Sequence, residues 1–204
     1  ERAERVLRTV LETDPQNTQA LIAHANALQR LGRLDDSLAA YRRYAALAGT
    51  PPFLLANIGA LLRRKGAFEA ACRVYRTALA QEPGSAGTLY NFSNLLKEMG
   101  DIDGAIRLVR RATAVEPANA QLHWNLSLAL LARGDLKDGF AEYEWRWKYD
   151  GFPSRRRTFA QPMWDGAPLA GRTLLVHTEQ GIGDVFQFLR YLPEIKARGG
   201  RIVL

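Results

Sequence analysis

Residues 52–85 read PFLLANIGALLRRKGAFEAACRVYRTALAQEPGS, and the reading of this stretch decides the fold. Leu55, Ile58, Gly59 and Leu62 follow the i, i+3, i+4, i+7 spacing of one helical stripe, and the stripe stops at Gly66. A second stripe of Ala71, Tyr75 and Ala78 ends at Pro83, which lacks an N–H and clashes with the preceding helical turn. The stretch is therefore a helix–turn–helix hairpin. Its marker glycine recurs at Gly32, Gly66, Gly100 and Gly134, a constant spacing of 34 residues. A hairpin of this size buries one face by itself, so neighbours must stack and the array becomes a superhelix.

Moving outward by 34 residues, the first stripe becomes Leu89, Phe92, Ser93 and Leu96, then His123, Leu126, Ser127 and Leu130; 34 back it is Leu21, His24, Ala25 and Leu28. The third place is always small, as ridge-into-groove packing requires where the two helices of a hairpin come closest. The second stripe recurs as Ala105, Val109 and Ala112 before Pro117. On this small-large pattern, the Gly between helices and the terminal Pro, the chain resembles the tetratricopeptide repeat family from Glu1 to Tyr149. It departs from the pattern at Gly49, where the terminal Pro is displaced to Pro51 and Pro52, and at Tyr44 and Arg146, which occupy places usually held by Ala. The resemblance implies a mainly α fold, a right-handed α-solenoid.

Its units are a half repeat over 1–17, repeats over 18–51, 52–85 and 86–119, and a fourth over 120–149. The half repeat is expected to be a second helix burying Ala3, Leu7 and Val10, which implies a further repeat upstream. The last second helix is expected from Leu136 to about Lys148, with Phe140, Tyr143 and Trp147 on the buried stripe. Trp145 and Tyr149 are expected to point elsewhere, onto whatever follows.

Opposite the core stripe stand Asn57, Asn91 and Asn125, again 34 apart, at a place that 100° per residue turns into the concave groove. Asparagine is a weak helix former, but its amide both donates and accepts, which suits pairing with the backbone of an extended peptide whatever its side chains. The first repeat has Ala23 there and offers Asn26 one turn later, and Asn94 follows Asn91 in the same way. A similar asparagine ladder occurs in the tetratricopeptide superhelix of O-linked N-acetylglucosamine transferases, where it holds the substrate polypeptide. The alternative is that these amides bond only across neighbouring helices. Arg63, Arg64 and Lys97, near the end of the same face, are candidates to receive acidic side chains or a carboxylate, a solvated charged face being the alternative.

At 204 residues, with 47% hydrophobic and 24% charged, the chain has room for one or two globular domains. The excess of 28 basic over 21 acidic side chains is mild and argues against a dedicated nucleic-acid binder. It is uneven, since residues 151–204 hold 8 basic against 4 acidic. The single cysteine, Cys72, sits on a buried stripe, so no disulfide within the chain and no reactive thiol are expected, and a cytoplasmic setting fits. No apolar run long enough for a membrane span and no signal peptide are read. His24, His123 and His177 are far apart with no supporting cluster, so neither a metal nor a cofactor is expected in this chain.

Residues 150–171 are a linker rich in Gly and Pro that carries Arg155-Arg156-Arg157 and the turn Trp164-Asp165-Gly166. Residues 172–177 (RTLLVH) read as a strand, 178–183 as a turn, and Asp184 to about Ala197 as a helix with Val185, Phe188, Leu189 and Leu192 on one side. Gly199-Gly200 stop that helix, and 202–204 begin a second strand, parallel to the first by the right-handed crossover rule. In the loop Gln180-Gly181-Ile182-Gly183-Asp184, the glycines allow close backbone approach, and the helix start favours an anion such as a phosphate.

Two glycines are not the full dinucleotide fingerprint. The order strand, GIGD, helix, GGRIVL nevertheless resembles the opening of inverting heptosyltransferase-like glycosyltransferases of the GT-B fold. Bacterial proteins that fuse tetratricopeptide repeats to such a domain carry similar WRW, linker Trp and QGIGD sequences. This resemblance, over about Tyr143 to Leu204, implies that 172–204 is a truncated β-α-β piece of a Rossmann-like domain. It also implies that Asp184 takes the proton of an acceptor hydroxyl, with capping of the following helix the alternative role. A sugar nucleotide would be bound only by the full-length protein, and the fragment is expected to be inactive alone. The expected function is thus a protein- or peptide-binding scaffold of a glycosyltransferase; the alternative is a non-enzymatic adaptor. Leu174, Leu175, Val176, Ile202 and Val203 would lie on open strand edges, so the segment is expected either to be held by Trp145, Tyr149 and Trp164 or to drive self-association.

Overall fold

The computed structural model describes residues 1–154, 156–179 and 181–204, and the chain divides into two units, Glu1–Lys148 and Tyr149–Leu204. The first unit is helical throughout: α1 (Arg2–Thr13), α2 (Thr18–Arg30), α3 (Leu34–Ala48), α4 (Pro52–Arg64), α5 (Phe68–Gln81), α6 (Ala86–Glu98), α7 (Ile102–Val115), α8 (Ala120–Arg133) and α9 (Leu136–Tyr143). The hairpins α2/α3, α4/α5, α6/α7 and α8/α9 begin at the expected repeat starts.

Each hairpin turns in the same way. Gly66 has φ 74°; its N–H donates to Arg63 O at 2.9 Å, and the next N–H, of Ala67, donates to Leu62 O at 3.0 Å. The same two bonds close at Gly32, Gly100 and Gly134, all with positive φ. This pair of bonds satisfies the orphan carbonyls of the helix end, and the left-handed residue it requires is most easily glycine. The second helices α1, α5 and α7 stop two residues before Pro15, Pro83 and Pro117. After α3 the stop is Gly49, and Pro52 opens α4, a place where its missing N–H is harmless.

The size pattern of the core is complementary. A methyl group added to Gly59 on α4 would lie 2.7 Å from the ring of Tyr75 on α5, and Tyr75 in turn stacks on Phe92 of the next repeat at 5.4 Å. Ala25 and Tyr41 make the same small-large pairing one repeat earlier. Ser37, Ser93 and Ser127 are buried, with each hydroxyl donating to a backbone carbonyl at 2.7–2.8 Å. Leu54 and Leu61 of α4 are fully buried against Tyr41 of the preceding repeat. A first helix is therefore sandwiched between its own second helix and that of the repeat before. The single stripe read from sequence missed this second face; of its members Leu55 and Gly59 are buried and Leu62 is half-buried.

Two helices bury other side chains than expected. In α1 the buried residues are Glu4 and Leu11; Ala3 is exposed, Val10 is 38% exposed and Leu7 half-buried. Here α1 packs on α2 with the face that second helices turn to the following repeat, whereas Ala3 and Val10 lie on the face that other second helices turn to their own first helix. Glu4 is held there by Arg33 at 3.3 Å.

In the fourth repeat the α-helix ends at Tyr143 and residues 144–148 tighten into a 3-10 turn, which shifts the facing side chains. Phe140 is 48% exposed, not buried, while Gly139 and Arg146 are buried. The Arg146 guanidinium lies over the rings of Tyr143 and Trp147, at 4.5 and 4.3 Å from their centroids, and bonds Glu144 at 2.7 Å. Trp145 does not point away: it stacks flat on His123 of α8 at 3.9 Å.

The second unit contains β1 (Thr173–Leu175) and β2 (Arg201–Val203), parallel and paired Thr173 to Arg201 through Leu175 to Val203. Between them lie α10 (Ile182–Leu189) and α11 (Leu192–Lys196), so the single helix expected to about Ala197 is broken. Pro193 in the first turn of α11 accounts for the break, since proline suits a helix start and not its interior. Val185, Leu189 and Leu192 are half-buried as one side, but Phe188 is half exposed. The expected turn at Trp164 is present: its Nε1 donates to Ala167 O at 2.8 Å, and the Ala167 N–H donates to Asp165 Oδ1 at 2.9 Å. Leu169, nearly fully buried, packs under Gly200, where a Cβ would lie 2.5 Å from it. Arg155 of the arginine run lies outside the described residues.

Candidate peptide-binding groove

The groove face is carried by the first helices α2, α4, α6 and α8. Asn57 and Asn91 are half-buried there, and neither amide makes a hydrogen bond to another described residue. They stand as open donor–acceptor groups on successive repeats.

Asn125 differs and corrects the expectation that all three rungs are exposed. It is 9% exposed, donates to Asn94 Oδ1 at 3.0 Å and accepts from Lys97 Nζ at 3.3 Å. The physical reason is local. At the preceding joint the residues corresponding to Asn94 and Lys97 are Ala60, which cannot reach Asn91, and Arg63, which pairs with Glu98 instead. At the first joint Asn26 accepts a hydrogen bond from the Tyr41 hydroxyl at 2.6 Å, which leaves Asn57 open. Burial pushes the Lys97 ammonium below the usual lysine range, with nearby Arg63 adding to this and Glu98 opposing it.

Arg63 and Arg64 are both engaged between repeats: Arg63 with Glu98 on α6, and Arg64 donating to the Gln29 carbonyl of α2 at 2.8 Å. They brace neighbouring repeats where sequence reading offered them to a ligand. Sequence reading missed a cavity of about 410 Å³ lined by Ile22, Ala23, Asn26, Tyr44 and Phe53 with Thr18 and Gln19 at its rim. Tyr44 and Phe53 meet edge to face at 6.0 Å. Its signal was present in the chain, because Tyr44 replaces the small residue found at Ala78 and Ala112.

In the second unit, Gly181 has φ 33° and precedes α10, Gly183 faces open space, and Asp184 is exposed in the first turn. Among the described residues no side chain caps α10, and Asp184 makes no capping hydrogen bond there. Gln180 lies outside the described residues. Among the described residues no three His, Cys, Asp or Glu converge to hold a metal ion, and no helix is long and apolar enough to cross a membrane.

This is the architecture of a helix-hairpin repeat scaffold. Tetratricopeptide repeat models match residues 1–52, 22–86 and 62–133, and the chain belongs to the tetratricopeptide repeat family. None of these matches reaches residues 172–204. No curated protein matches the chain in sequence. Among solved structures it is similar to MamA from Desulfovibrio magneticus (17% identity over 70% of this chain and 81% of that one, TM-score 0.60). It is also similar to PilF from Pseudomonas aeruginosa (18%, 68% and 64%, TM-score 0.60). A third similar structure is YrrB, described as a tetratricopeptide repeat protein with an unusual peptide-binding site (14%, 71% and 74%, TM-score 0.55).

Proposed function

We propose that the chain is a protein-interaction scaffold whose first-helix face holds an extended polypeptide, with Asn57 and Asn91 bonding the backbone of that segment. The observation that carries this reading is the pair of half-buried amides, 34 residues apart, without a partner among the described residues. A polar group left so is satisfied on binding, and an extended peptide offers alternating backbone donors and acceptors. Binding through the backbone is insensitive to peptide side chains but not to removal of the peptide N–H. Twelve-residue peptides selected on the chain from a random display library, then N-methylated at alternate amides, are expected to bind at least about tenfold more weakly. Equal affinity of the methylated peptides would count against backbone recognition, and failure to select any peptide would count against the groove.

A finer reading makes this scaffold part of a sugar-transferring protein. Its support is the strand, positive-φ Gly181, helix and parallel strand of the second unit, with Asp184 exposed on the first turn. In the full-length protein the sugar nucleotide would be the donor and Asp184 the group that takes the acceptor proton. Asp184→Asn keeps the size of the side chain and removes the base, so transfer to an acceptor should fall by about 100-fold or more. Turnover near that of the unsubstituted protein would leave the adaptor role, which needs none of this chemistry, as the function.

A further inference from the structure

The second helices carry a feature that the groove does not use. Arg8, Arg42, Arg76 and Arg110 recur at the same 34-residue period on α1, α3, α5 and α7, and all four are exposed. Arg5, Arg73 and Arg107 stand one turn before them on three of those helices and are exposed too. Residues three apart are neighbours on a helix surface, so these are like charges held side by side.

The arginines of the first unit fall into two groups. At the joints they are engaged: Arg33 with Glu4 and Asp36, Arg63 with Glu98, Arg133 with Asp103 and Asp135, and Arg43 and Arg111 with the carbonyls of Pro15 and Pro83. On the outer stripe, Arg42, Arg73, Arg76, Arg107 and Arg110 have no carboxylate within 4.0 Å among the described residues. The exception is Arg8, 3.9 Å from Glu12; Glu69 lies one turn before Arg73 without pairing to it, and Asp14, Glu82 and Glu116 stand exposed at the ends of α1, α5 and α7. The acids that open the other second helices, Asp35 and Asp103, are taken by Lys65 and Arg133. On α3, α5 and α7 the stripe therefore presents guanidinium groups without an ion-pair partner among the described residues.

We infer that this outer stripe is a second interaction surface, for an extended acidic segment of a partner protein. A guanidinium fork donates a pair of N–H bonds to a carboxylate, and one such position per repeat suits an extended acidic chain running along the stack. The stripe is interleaved with Ala46, Thr77, Ala80 and Ala114, so it offers no aromatic platform on which bases could stack. The outer face is separate from the Asn57 and Asn91 face, so the two surfaces can be occupied independently.

The test is fluorescence anisotropy of a labelled polyglutamate peptide on the chain at low salt. The expected result is binding that is lost near 1 M salt, where screening acts within about 3 Å. Affinity should fall about tenfold in R42Q/R76Q/R110Q and stay unchanged in K137Q/R156Q/K196Q, which removes the same charge from other exposed positions. Circular dichroism melting checks that each variant is folded, and R107Q/R110Q serves if the triple variant is not. Equal loss in both sets of variants would reduce the effect to net charge and overturn the assignment. So would tighter, stripe-dependent binding of oligothymidylate or of phosphatidylglycerol vesicles, which would reassign the surface to nucleic acid or membrane.

Discussion

Tyr41 and Tyr75 occupy the same place in successive repeats, are fully buried, and have phenols pushed above the ordinary range by burial. Their hydroxyls differ. That of Tyr41 donates to Asn26 at 2.6 Å, while that of Tyr75 is buried with no hydrogen-bond partner among the described residues. An unmade buried hydrogen bond is costly, whereas removing the polar atom altogether is nearly neutral or favourable. Tyr75→Phe should leave stability unchanged or raise it by up to about 1 kcal/mol, whereas Tyr41→Phe should lower it by about 1 kcal/mol in urea unfolding. The reverse order would mean that the hydroxyl environments are exchanged. The difference was not legible in the sequence, because both residues answer to the same repeat position. What separates them is Asn26, which is Ala60 one repeat later.

At the scale of elements, the hairpins were legible because every repeat must meet the same geometry, and four glycines with the same pair of closing bonds record that demand. The faces of α1 and α9 were not, since α1 turns to α2 the face that other second helices turn to the following repeat, and α9 tightens into a 3-10 turn. The second core face of α4 was hidden for another reason. Leu54, Leu55, Ile58, Leu61 and Leu62 are apolar nearly all round, so a single-stripe template cannot choose between them. Leu61 is fully buried between repeats and Leu62 half-buried. Leu61→Ala should therefore cost about 2–5 kcal/mol and Leu62→Ala clearly less, by chemical denaturation of each variant. Equal losses would place the main core within the hairpin and not between hairpins.

On the scale of the whole molecule, the repeat unit is stabilised by contacts between nearest neighbours, so its two faces remain available along its length. The asparagine spacing marked one face of the first helices in the sequence. It could not show that Asn125 is captured by Asn94 and Lys97, because that depends on side chains about 30 residues away meeting across a helix joint. The account thus narrows the ladder to two open rungs. The second unit is a short parallel strand pair with two helices, an order legible in the sequence, whereas the break at Pro193 was not read from it.

The amides of Asn57 and Asn91 are proposed to bind a polypeptide backbone. Isothermal titration of a library-selected peptide into N57A/N91A and into N125A tests it most directly. The account predicts a loss of about tenfold or more in N57A/N91A, with an unchanged melting temperature, from about 1 kcal/mol per lost hydrogen bond. It predicts that N125A, which breaks the Asn94–Lys97 network, lowers the melting temperature while leaving affinity within about twofold. Unchanged affinity in N57A/N91A, or a greater loss in N125A, would contradict it.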